Sequence, residues 1–215
     1  MSQATHNEAP HEGVPQVAAA PSTVGADYTE RLVTLEKSGL KRFIPTQAPY
    51  HWNLRRLKLG RVLEVGCGVG RNLRACSADS VGVDHNETSV LIARGRGLNA
   101  RTDTDFLASD EYRHRSFDSM LVAHVLEHVT AADGRGLLET YLPYVRPGGQ
   151  VVLICPQEAG YASDETHIRF LDFPDLREQA EECGLRVERA FSFPLPRSAG
   201  RAFRYNEFVQ VSRIA

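Results

Sequence analysis

Short apolar runs, separated by polar and glycine-containing stretches, recur along the chain from residue 62 onward. Val62, Leu63 and Val65 read as a buried central strand, and residues 81–84, 99–102, 119–123 and 151–155 read as four more. Between them the apolar spacing changes to that of helices, around residues 88–96, after His128, and over 174–183. In the last of these Leu176, Ala180 and Cys183 share a face and Gly184 marks the end. Residues 185–193 and 207–214 read as two final strands, joined by a Pro/Arg/Gly-rich loop. Strands alternating with helices predict an α/β domain with a parallel sheet and crossover connections. Ahead of the sheet, Leu32, Leu35 and Leu40, then Trp52, Leu54, Leu57 and Leu59, predict two helices. Residues 1–26 hold scarcely any large apolar side chains and read as a disordered tail, which leaves 27–215 as one folded domain.

Composition narrows the function classes. A chain of 215 residues has room for one sizeable core and not for a second domain. A net charge of −2 and a pI near 6.4 give no electrostatic footprint for a nucleic acid. The four cysteines, Cys67, Cys76, Cys155 and Cys183, lie far apart and form no C-x-x-C pair, so neither disulfides nor a structural zinc site is expected. No apolar run reaches the length of a membrane span, and the first 30 residues lack Lys and Arg, unlike a signal or transit peptide. A cytoplasmic location is expected from these features.

The first strand runs into Glu64-Val65-Gly66-Cys67-Gly68-Val69-Gly70, a glycine turn that lets backbone approach a ligand closely, and a helix is expected to open at Asn72 and Leu73. Its spacing is G-x-G-x-G rather than the dinucleotide G-x-G-x-x-G. The carboxylate of Glu64 adds nothing to a pyrophosphate site, whereas a ligand with a cationic amino-acid end would gain from it. Asp84, at the end of the second strand, is placed to accept hydrogen bonds from a ribose.

With Glu64, Gly66, Gly68, Gly70 and Asp84, the chain resembles the class I S-adenosylmethionine-dependent methyltransferases, of the type 11 kind, whose first motif is E/D-x-G-x-G-x-G. Arg146-Pro147-Gly148-Gly149 before the fifth strand is a second signature of that family, and the resemblance covers roughly residues 50–213. It implies a Rossmann-like, doubly wound sheet of seven strands with helices on both faces and the last strand antiparallel between the fifth and sixth. It implies S-adenosylmethionine as cofactor, held by Glu64, Gly66, Cys67, Gly68, Asp84, His85, Asp103 and Ala123. It also implies that helices ahead of the sheet cover the ligand.

Candidate chemistry lies just past the fourth strand, at His124, Glu127 and His128. A helix starting near Val125 would bring all three to one side, favour an ionised Glu127 and keep His128 neutral. His-x-x-Glu-His is also the inverted zinc-peptidase pattern, but that motif belongs within a helix rather than at a strand end. Three uses remain open. His128 or His124 could take a proton from an acceptor hydroxyl. Glu127 and His128, with His124, could hold a divalent metal such as magnesium, as the likeness to quinone-biosynthesis O-methyltransferases implies, although two imidazoles suit zinc, manganese or nickel better. The group could instead serve local hydrogen bonding. His167, in Asp164-Glu-Thr-His-Ile-Arg-Phe170, is a further base, substrate contact or ligand, and Tyr161, Arg197, Arg201, Phe203, Arg204 and Tyr205 border the same end. An aliphatic hydroxyl needs such help while an amine needs only to be unprotonated. The expected acceptor is therefore a hydroxyl on a small or oligomeric metabolite: a sugar or glycolipid, a quinone-like phenol or a natural product. A nicotinamide oxidoreductase and a non-catalytic cofactor-binding protein are the rival classes.

Overall fold

The computed structural model describes residues 47–215. The expected tail and the helix carrying Leu32, Leu35 and Leu40 lie outside them. Helix α1 (Ala48–Leu57) leads into β1 (Val62–Val65), β2 (Val81–Asp84), α2 (Glu87–Gly95), β3 (Ala100–Thr102), α3 (Asp103–Leu107) and β4 (Phe117–Ala123). Then follow α4 (Ala131–Tyr141), β5 (Val145–Pro156), α5 (Glu158–Tyr161), α6 (Phe173–Glu182), β6 (Leu185–Phe193) and β7 (Glu207–Ile214). The seven strands form one sheet in the order β3-β2-β1-β4-β5-β7-β6. β1 to β5 pair parallel, and β7 lies antiparallel between β5 and β6.

Side-chain alternation along the central strands divides the core between two faces. Met120 and Val122 of β4, with Val151, Leu153 and Cys155 of β5, point into a cluster closed by Leu138 and Tyr141 of α4 and Leu176 and Ala180 of α6. Leu121, Ala123, Val152 and Ile154 point the other way, onto Leu54 and Leu57 of α1. Val90 and Ala93 of α2 pack separately with Cys67 and Ala100. Caps set the helix starts: Asn86 accepts from Ser89 N at 3.1 Å, and Asp172 and Asp175 form a reciprocal capping box on α6. No helix among the described residues is long and apolar enough to cross a membrane.

The expected helix after the glycine turn is a difference. Only a three-residue 3-10 turn, Leu73–Ala75, forms there. It gives way at Cys76, whose backbone is extended, and the chain enters β2 after a tight turn at Ser77–Ser80. Too few residues separate the turn from β2 for a full crossover helix, so α1 covers that face of the sheet instead.

Candidate active site

The carboxyl ends of β1, β2 and β4 meet at the glycine turn. Gly66, Gly68 and Gly70 all take positive φ, at 75°, 51° and 80°. A Cβ on Gly66 would overlap Cγ2 of Val125, so this position needs glycine for both conformation and space. Gly66→Ala is expected to lower stability by about 1–3 kcal/mol; a thermal melt unchanged from that of the parent chain would contradict this.

Backbone donors in the turn are already engaged. Gly66 N and Cys67 N both donate to Val83 O, at 2.8 and 3.0 Å, and Gly68 N donates to Asp84 Oδ2 at 2.7 Å. Gly66 and Gly68 are expected to hold a ligand through backbone contacts; in the structure their N–H groups bond within the protein, so the turn brings the chain close and fixes Asp84. Asn86 N holds the other carboxylate oxygen of Asp84 at 2.9 Å. A carboxylate oxygen accepts more than one hydrogen bond, so Asp84 is oriented by the backbone and still able to accept from a diol. His85 Nδ1 lies 3.7 Å from Asp84 Oδ1, with the imidazole 46% exposed. Asp103 directly follows the carboxyl end of β3 and is the first residue of α3, which Thr102 caps. Ala123 closes β4 beside the turn and is buried.

Glu64 is buried beneath the turn, and its Oε2 has no hydrogen-bond partner among the described residues. Burial, with a smaller push from Asp84, raises its carboxyl to about 8, against the pull of Asn72 and the Leu73 backbone. The folded state thus keeps a proton that the unfolded chain releases near 4.5. The stability that Glu64 contributes is fullest below pH 4.5 and falls as pH rises toward 8, by at most about 1.4 kcal/mol per pH unit. Urea titrations of the ligand-free protein between pH 5 and 8 are expected to show this slope, and Glu64→Gln to remove it.

The second half of the site begins where β4 ends. His124 adopts the left-handed conformation, φ 58°, and turns the chain sharply while its N–H still donates to Ile154 O at 2.9 Å. Leu126–His128 is a 3-10 turn rather than the start of an α-helix. The helical argument for placing residues 124, 127 and 128 together is therefore replaced by a different geometry. His124 Nδ1 bonds Glu127 Oε1 at 3.2 Å and Nε2 bonds Glu207 Oε1 at 2.8 Å. Burial opposes charge on this imidazole, but the two carboxylates outweigh it and raise it to about 10. Glu127 is fully buried, which works against its charge, yet His124 holds its carboxyl below the ordinary value. The pull toward its charged form comes from His124 rather than from a helix terminus.

His128 is held from the other side, by the loop after β5. Its Nδ1 lies 3.1 Å from both the carbonyl and the hydroxyl oxygen of Thr166. A carbonyl only accepts, so Nδ1 carries the proton and the lone pair of the neutral ring is on Nε2. Burial lowers the pKa of His128, which favours that neutral form. His167 repeats the pattern, with Nδ1 donating to Tyr161 O at 2.7 Å. The two imidazole centroids are 4.8 Å apart, and donor atoms of Glu127, His128 and His167 all lie within 4.8 Å of one another. His124 is not part of that trio. Magnesium held by residues 124, 127 and 128 does not fit: His124 is tied to two carboxylates, and two nitrogens with one oxygen are not the oxygen donors that magnesium prefers.

The family profile described as a methyltransferase domain matches residues 34–190. The chain belongs to that family. With its strand order, it is a class I S-adenosylmethionine-dependent methyltransferase. Among solved structures, a SAM-dependent methyltransferase from Archaeoglobus fulgidus is 18% identical, with a TM-score of 0.64 over 87% of this chain and 100% of that one. Magnesium protoporphyrin IX methyltransferase from Synechocystis PCC 6803, with bound SAH, is 14% identical, with a TM-score of 0.62 over 90% and 97%. A possible histamine N-methyltransferase from Thermotoga maritima is 18% identical, with a TM-score of 0.61 over 88% and 99%. At these identities the likeness is one of fold. No protein of curated function matches the chain.

Two features of this methyltransferase escaped the sequence reading. Glu207, at the start of β7, and Thr166 orient His124 and His128 from segments remote in sequence. Arg197, expected at the acceptor end, is committed to a bidentate pair with Glu158 at 2.8 and 2.5 Å. Tyr161 stacks on His167 with centroids 5.3 Å apart, and Tyr50 of α1 donates to Tyr205 O at 2.6 Å.

Proposed function

We propose that this methyltransferase moves the methyl group of S-adenosylmethionine to a hydroxyl oxygen of a small or oligomeric metabolite, a sugar or glycolipid, a quinone-like phenol or a natural product. The observation that carries this reading is the cluster of Glu127, His128 and His167 at the carboxyl end of β4, with the imidazole lone pairs on Nε2. Amine methylation needs no such group, because a neutral amine already presents its lone pair, whereas a hydroxyl must lose a proton as the new bond forms.

The donor supplies a methyl group already activated by a sulfonium charge, which leaves the protein alignment, exclusion of water and the acceptor's proton. In this reading Asp84 accepts from the ribose hydroxyls, His85 and Asp103 border the adenine, and Gly66, Cys67 and Gly68 let the methionine portion lie against the chain. Glu64 faces the ammonium through water or backbone, and Ala123 borders the methyl group. His128 and His167 meet the acceptor hydroxyl and take charge of its proton. The His124 imidazolium, fixed by Glu127 and Glu207, holds the carboxylate of Glu127 in place.

Calorimetric titration separates this reading from its rivals. S-adenosylmethionine and its demethylated product are expected to bind one per chain and nicotinamide dinucleotides not at all; the reverse order would make the protein an oxidoreductase. Incubation with methyl-labelled donor and metabolite extracts is expected to place label in a small-molecule fraction. Binding without transfer to any fraction would instead support a non-catalytic protein.

A further inference from the structure

We propose that Glu127, His128 and His167 form a binding site for a divalent transition-metal ion of the zinc, manganese or nickel type, with His124 outside the ligand set. The inference gives the acceptor end of the proposed methyl-transfer site its chemistry, and so rests on that reading for its use, though not for its existence. Three independent observations point to an ion. The three donors come from two segments and lie within 4.8 Å of one another. Glu127 is 0% exposed, and its Oε2 has no hydrogen-bond partner among the described residues, a costly condition that a cation would relieve. Both imidazoles are anchored through Nδ1 to backbone carbonyls, of Thr166 and Tyr161, as metal-bound histidines are when the other nitrogen faces the ion.

The scaffold is tied together for this purpose. Ile168 N and Arg169 N both donate to Glu127 O, at 2.9 and 3.1 Å, which fastens the loop bearing His167 to the turn bearing Glu127 and His128. Ligands about 2.0–2.1 Å from a tetrahedral zinc sit roughly 3.4 Å from each other, so closure of the widest pair by up to about 1.4 Å through side-chain rotation completes the set. Two imidazole nitrogens and one carboxylate oxygen suit borderline 3d ions over magnesium. Three protein ligands also leave a position open, as catalytic rather than structural sites do. His124 bonds the oxygen of Glu127 opposite the unpartnered one and acts as a positioning residue.

The test is calorimetric titration of chelator-dialysed protein with Zn2+ and with Mg2+, followed by S-adenosylmethionine in the same cell. One zinc per chain at micromolar affinity or tighter is expected, with magnesium at least a hundredfold weaker. His167→Ala, and His167→Gln as a gentler second variant, are expected to lower zinc affinity at least a hundredfold with an unchanged far-UV spectrum. His124→Gln is expected to lower it by less than either His167 variant does, about tenfold, the low end for a residue that only orients a ligand. Absence of zinc binding, magnesium as tight as zinc, or equal losses in the His124 and His167 variants would overturn the site as drawn. S-adenosylmethionine binding with no zinc binding would remove the metal site alone. Zinc binding without S-adenosylmethionine binding would leave the site standing and overturn the reading of its use.

Discussion

Asp84→Ala is expected to weaken S-adenosylmethionine binding by at least two orders of magnitude. The carboxylate is held by two backbone donors, Gly68 N on one oxygen and Asn86 N on the other, which fix it at the end of β2 before any ligand arrives. Hydrogen bonds from two ribose hydroxyls to a charged acceptor are each worth about 1.5–3 kcal/mol, so losing both removes at least a factor of about a hundred. The substitution also orphans two N–H groups in the turn, so a lower melting temperature is expected as well. Asp84→Asn should not rescue binding, since its NH2 group would face either Gly68 N or Asn86 N, donor against donor. Calorimetry on both variants checks this, and undiminished affinity in Asp84→Ala would remove the ribose assignment.

The second large effect belongs to the acceptor side. His128→Ala is expected to lower turnover by about 10²–10⁴-fold, the usual contribution of a positioned proton-handling group, while leaving S-adenosylmethionine affinity within a few-fold of the parent. This separation follows from the geometry, because His128 is held by Thr166 on the loop after β5 while Asp84 and the glycine turn belong to β1 and β2. A drop in cofactor affinity equal to the drop in turnover would show His128 to be part of the donor site instead.

What the sequence revealed and what it hid divide along a physical line. The central strands were legible because buried parallel strands are continuous apolar runs, as 62–65 and 81–84 are, and the antiparallel pair at 185–193 and 207–214 also forms over the expected limits. The tight turn at Gly66, Gly68 and Gly70 was legible because positive φ is a local requirement that glycine meets, and Asp84 because it ends the second apolar run. The acceptor side was less so. Nothing near His124 announces that it takes a left-handed conformation, and this bend, rather than a helix, decides which way residues 124, 127 and 128 point. Glu207 reaches His124 across 83 positions of sequence, through the antiparallel insertion of β7 beside β5. The missing helix after the glycine turn was hidden for another reason. Asn72 and Leu73 do begin a turn of the right sense, but the segment ends within one turn.

The central claim is that a class I methyl donor site faces a cluster built to activate oxygen. The most direct measurement is to supply S-adenosylmethionine with a 13C-labelled methyl group, isolate the labelled product, and determine by NMR which atom carries the methyl. The account predicts a methyl bonded to oxygen, formed by the parent protein and not by His128→Ala. A methyl on nitrogen, sulfur or carbon, or equal yields from the two proteins, would contradict it.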